Sequence, residues 1–75
     1  MEFHKILRAL REDREPKLTQ LDVAIAIHAT QRKVSRLETG EAEPSLQDLR
    51  LLCRFYRVSA DYLLGLPPDM PYPKR

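Results

Sequence analysis

The stretch Leu18-Thr19-Gln20-Leu21-Asp22-Val23-Ala24-Ile25-Ala26-Ile27-His28-Ala29-Thr30-Gln31-Arg32-Lys33-Val34-Ser35-Arg36-Leu37-Glu38-Thr39-Gly40 decides the fold. Thr19 is a good N-cap residue, and Asp22 three positions on completes a capping-box pattern. A helix follows with Val23, Ala24 and Ile27 facing inward. It must stop near His28, because Thr30 reads as the next N-cap. The connection His28-Ala29 is so short that the two helices must meet at a sharp angle. From Gln31 to Glu38 the 3.6-residue period puts Val34 and Leu37 on one face. Gln31, Arg32, Ser35 and Arg36 fall on the opposite face, with Lys33 on the flank. Gly40 stands where a left-handed helix terminus is expected.

The chain on both sides extends this pattern. Upstream, Phe3, Ile6, Leu7 and Leu10 follow i, i+3, i+4, i+7 spacing, with Lys5, Arg8 and Arg11 turned to water. Pro16 ends that helix and marks a loop from Glu12 to Lys17. Downstream, Glu41 to Pro44 is a loop, and Ser45 caps a helix with Asp48 as its box partner. Leu46, Leu49, Leu52, Cys53 and Tyr56 form its expected inner face. Ser59 caps a last short helix, Ala60 to Leu64, which Gly65 ends. No strand signal or internal repeat is present. The reading is one all-α domain over 1–65, followed by a proline-rich tail over 66–75, for which polyproline-like conformations are expected.

Composition narrows the function. With 75 residues there is room for one domain, and for little of the scaffold that most enzymes build around a concave site. A 43% hydrophobic and 32% charged composition is that of a folded globular chain. No apolar run spans a bilayer and the start is charged throughout, so a cytoplasmic location is expected. The single Cys53 excludes an intrachain disulfide and a cysteine-rich metal site, and His4 and His28 suggest no metal motif. No nucleophile–base set occurs at a persuasive spacing, and no cofactor is expected. The net charge is only +2, but residues 16–40 carry four basic groups against two acidic ones. Arg32, Lys33 and Arg36 fall within five positions, a local concentration suited to an anionic partner.

The runs Leu18-Thr19-Gln20, Val23-Ala24, Val34 to Gly40, Pro44-Ser45 and Val58 to Gly65 together resemble the phage-repressor-type (Cro/cI or XRE) helix-turn-helix family. The resemblance covers residues 3 to 65. It implies a compact five-helix, lambda-repressor-like domain that binds double-stranded DNA, with the helix from Thr30 to Glu38 in the major groove. On that reading Gln31, Arg32, Ser35 and Arg36 meet base edges. Lys33 meets a phosphate, and Thr19, Gln20, Thr30 and Thr39 add backbone contacts near the two helix N-termini. The resemblance further implies that Gln20 braces Gln31, and that Glu38 pairs with Arg11 or Arg8 as a structural ion pair.

The chain departs from the family at several points. His28 and Arg57 stand at common glycine positions, so a positive φ is expected at His28. Glu41 and Glu43 place negative charge where basic or polar residues are common, which weakens non-specific DNA binding. Leu51 and Phe55 turn away from the inner face of their helix and suggest a partner surface, joined by Tyr62, Leu66, Met70 and Tyr72. A homodimer on a palindromic operator follows from that surface and from the small DNA area one module covers. The function expected is sequence-specific transcriptional regulation, as a repressor, with any small-molecule signal read elsewhere than in this module. An antitoxin that also binds a toxin, and a protein-interaction module that has lost DNA binding, are the competing readings.

Overall fold

The computed structural model describes residues 2–67. Five helices make up the order α1 (Phe3–Glu12), α2 (Gln20–Ala26), α3 (Gln31–Thr39), α4 (Leu46–Tyr56) and α5 (Ala60–Leu64). Four of the five begin at the expected hydroxyl cap. Thr19 and Ser45 form reciprocal boxes with Asp22 and Asp48, while Thr30 and Ser59 accept from the amides of Lys33 and Tyr62. Each such cap contributes about 1 kcal/mol. Four helix ends close on left-handed residues: His28 (φ 57°), Gly40 (φ 83°), Arg57 (φ 56°) and Gly65 (φ 74°). At His28 the closure is a full Schellman motif. The Ala29 amide donates to the Ala24 carbonyl at 2.8 Å and the His28 amide to Ile25 at 3.3 Å.

The core collects one apolar stripe from each helix: Ile6 and Leu7, Val23, Ala24 and Ile27, Val34 and Leu37, Leu52 and Tyr56, and Leu63. Burying each of the larger aliphatic side chains stabilises the fold by roughly 1.5–3 kcal/mol. α3 packs between α2 and α1, and α5 closes against α1 and α4. The position of α3 is therefore set by the whole core and not by its own sequence alone.

Three expectations about faces need correction. Leu46 is 80% exposed. It is the first residue of α4, and a helical side chain leans toward the N-terminus, so it projects past the end of the core. Cys53 is half-buried beside Leu49, Arg50 and Arg54, not fully in the core. Leu51 and Phe55 are half-buried rather than exposed, packed against the core. Arg14 covers Phe55 from the α1–α2 loop. Its guanidinium lies 5.8 Å from the Phe55 ring centroid and 5.6 Å from that of Tyr56, and donates to the Phe55 carbonyl at 3.4 Å. Met70 and Tyr72 lie outside the described residues.

Candidate nucleic-acid interface

α2 and α3 form one unit because the connection between them is four residues, Ile27 to Thr30, and is closed by its own hydrogen bonds. The unit presents α3 to solvent along one side. Val34 and Leu37 are fully buried behind it. Gln31, Arg32 and Arg36 are exposed in front, and Ser35 is half-buried at the edge. Arg32 and Arg36 are four apart, as are Gln31 and Ser35, so the face carries two parallel rows of hydrogen-bonding groups.

The back of α3 is fixed by an ion-pair network. Arg11 grips Glu38 with two bonds, Nε to Oε2 at 2.8 Å and Nη2 to Oε1 at 3.0 Å. Its third nitrogen, Nη1, donates to the Leu18 carbonyl at 3.1 Å, which ties in the chain just before α2. Gln20 completes the set by donating Nε2 to Glu38 Oε1 at 3.2 Å. The bond to Glu38 holds the Arg11 guanidinium above its ordinary pKa despite burial. Arg11 is thus the partner of Glu38 and is not turned to water, whereas Arg8 pairs with Glu12 at 3.4 Å. The amide of Gln20 is engaged by Glu38, not by Gln31. The reason is proximity to the buried carboxylate, whose charge makes it the stronger acceptor.

Lys33 is also engaged. Its Nζ lies 2.8 Å from Asp48 Oδ2, the carboxylate that caps α4. Burial alone raises the Asp48 carboxyl, but Lys33 and the Ser45 amide and hydroxyl outweigh it and leave it below the usual carboxylate value. Thr39 lies 3.2 Å from both the Arg36 carbonyl and the Glu41 carboxylate. Glu41 in turn stands 4.0 Å from Arg36 Nε. Asp48, read from sequence only as a cap, is therefore part of this surface, and Glu41, read there as unfavourable to non-specific DNA binding, stands beside Arg36. Thr19 and Thr30 are both exposed, with their hydroxyls committed to capping. Among the described residues, no cluster of His, Cys, Asp and Glu is arranged to hold a metal ion. No helix among them is long and apolar enough to cross a membrane.

Residues 6–66 match the family model described as a helix-turn-helix domain. The chain belongs to this helix-turn-helix family. It is 40% identical over 68 residues to the uncharacterized HTH-type transcriptional regulator YobD of Bacillus subtilis (strain 168), covering 91% of this chain and 58% of that protein. It is 31% identical over 65 residues to the HTH-type transcriptional activator BcrR of Enterococcus faecalis, covering 87% of this chain and 31% of that protein. The chain therefore spans less than two thirds of each of these relatives, 31% of one and 58% of the other. The fold is phage-repressor-like. The P22 c2 repressor, solved in complex with a synthetic operator, superposes with a TM-score of 0.78 at 26% identity, over 85% of this chain and 94% of that one. A transcriptional regulator from Listeria innocua superposes with a TM-score of 0.80 at 25% identity, over 92% and 63%.

Proposed function

We propose that the chain binds double-stranded DNA sequence-specifically, with α3 in the major groove, and represses transcription by occupying promoter DNA. The observation that carries this reading is the exposed row of Gln31, Arg32 and Arg36 on a helix held rigidly from behind by Val34, Leu37 and the Arg11–Glu38 pair. Gln matches adenine edges and Arg guanine edges, each bidentately, at about 1–3 kcal/mol of discrimination per good pair. Ser35 adds a short-range contact where the helix approaches most closely. Thr19, Gln20, Thr30 and Thr39 border the phosphate backbone on this reading. The likeness to a repressor solved with an operator supports the docking mode. The reading assigns the chain no catalysis and no cofactor.

The chain acts as a homodimer on a palindromic operator. One module reads few base pairs, and a two-fold pair with half-sites ~34 Å apart multiplies its specificity. Exposed Tyr62 and Leu66 on and after α5 support an interface there, and the reading adds the half-buried Leu51 and Phe55 of α4 to it.

Selection from random duplex DNA, followed by sequencing, tests both points. The expected result is a palindromic motif, with Arg36→Ala losing the preference at one symmetric position. Weak binding without any motif would transfer the function to protein interaction.

A further inference from the structure

α3 carries three cations on its solvent side, and the fold treats them differently. No carboxylate of the described residues pairs with Arg32. Arg36 has a loose neighbour in Glu41, whose side chain is 67% exposed and 4.0 Å away. Lys33 has a firm one. Asp48 is 8% exposed in its side chain and 2.8 Å from the ammonium. Asp48 is unable to follow the lysine elsewhere. Its Oδ2 accepts from the Ser45 amide at 3.0 Å, and its own amide donates to Ser45 Oγ at 3.0 Å. The carboxylate is fixed by the capping box, and the flexible lysine comes to it.

Resting on the DNA-binding reading above, we infer that Asp48 is a specificity-determining positioning residue. It holds Lys33 as an internal counter-ion pair and keeps that cation out of phosphate contacts with non-target DNA. Non-specific affinity comes almost wholly from the counterions released when lysine and arginine neutralise phosphates. A lysine already neutralised by a fixed carboxylate releases no counterion. Moving it to a phosphate would leave Asp48 with its charge largely desolvated and its cation gone. The grip on arbitrary sequence falls by one phosphate, while the base-reading groups Gln31, Arg32 and Arg36 remain available. Glu41 does the same to Arg36 more weakly, since an exposed partner is readily displaced by a base edge.

The test measures binding of the full chain to an arbitrary-sequence duplex by fluorescence anisotropy, from about 50 to about 200 mM salt. Asp48→Asn keeps an oxygen to accept from the Ser45 amide and removes the charge. It steepens the slope of log affinity against log salt by about 0.9, which is one additional phosphate contact. Lys33→Gln alone leaves the slope unchanged, and combined with Asp48→Asn it returns the slope to that of the unaltered chain. Glu41→Gln gives a smaller steepening. On the selected target, Asp48→Asn lowers the ratio of target to non-target affinity several-fold. The inference is overturned if Asp48→Asn leaves the slope unchanged, or if Lys33→Gln alone lowers it by about 0.9. The second result decides the matter even where Asp48→Asn fails to fold, because the Lys33 side chain is 44% exposed. Failure of the unaltered chain to bind any duplex sinks the DNA-binding reading itself, a distinct outcome.

Discussion

Glu38 and Lys33 stand five residues apart on α3, and each ties that helix to another one through an ion pair. The two ties differ in kind. Glu38 is 2% exposed, and its carboxylate takes two bonds from Arg11 and one from Gln20. Lys33 is 44% exposed and makes one contact with Asp48. A buried, bidentate and fully satisfied pair is expensive to break because the survivor is stranded. The Lys33 pair is half-exposed on the lysine side only, and Asp48 keeps the Ser45 amide when the lysine leaves, so its loss costs less than that of the first. The first tie therefore belongs to the fold, and the second is free to serve function.

Arg11→Met puts the largest strain on this contrast. Glu38 would keep only Gln20 as a donor, at a cost of about 3–5 kcal/mol. Domains of this length have only roughly 0.05–0.15 kcal/mol of stability per residue, so the cooperative thermal transition followed by circular dichroism should be largely lost. Lys33→Gln should shift the same transition by only about 1 kcal/mol, because Asp48 keeps the Ser45 amide as a donor. Equal losses from the two substitutions would erase the distinction between the pairs.

The helix ends repeat the contrast at a smaller scale. Gly40 and His28 have the same handedness, but Gly40 also has the His4 ring against it, with Nδ1 3.3 Å from where a Cβ would stand. Gly40→Ala should cost about 1–2 kcal/mol, whereas His28→Gly should gain about 0.5–1 kcal/mol by relieving a left-handed non-glycine residue. Chemical denaturation midpoints check both signs. Tyr56 gives the smallest effect. Its hydroxyl is buried without a hydrogen-bond partner, and burial pushes its pKa up to about 12. Unlike Glu38 it is a buried polar group that nothing satisfies, so Tyr56→Phe should leave the melting temperature unchanged or raise it by the equivalent of about 0.5 kcal/mol. A clear loss would mean that the hydroxyl is bonded after all.

The residues that sequence reading placed well act over short distances along the chain. The boxes of Thr19 with Asp22 and Ser45 with Asp48 span three residues, the left-handed end at Gly40 follows from a glycine just past its helix, and that at His28 from the glycine position the resemblance assigns it. The back and front of α3 also follow from its period. What was not legible depends on helices meeting. Asp48 reaches Lys33 only because α4 starts beside α3, and no local spacing announces it. Arg14 lies 41 positions from Phe55, so the shielding of that ring belongs to the tertiary fold. Leu46 fits the helical period of the inner face, but the period carries no information about where the core ends. The resemblance gave Gln20 the residue Gln31 to brace, and the buried charge of Glu38 takes its amide instead.

α3 is held by Thr30 at its start, Gly40 at its end, and Val34, Leu37 and Glu38 along its back. Gln31, Arg32 and Arg36 contribute almost nothing to that hold. Exposed positions of this sort accept replacement within roughly 0.5 kcal/mol. On the proposed DNA-binding reading, the domain can therefore acquire a new target one codon at a time, with every intermediate still folded. Ser35 is the exception, since it is half-buried at the edge of the helix. Retargeting by laboratory selection should accordingly randomise three positions freely and the fourth within a short alphabet.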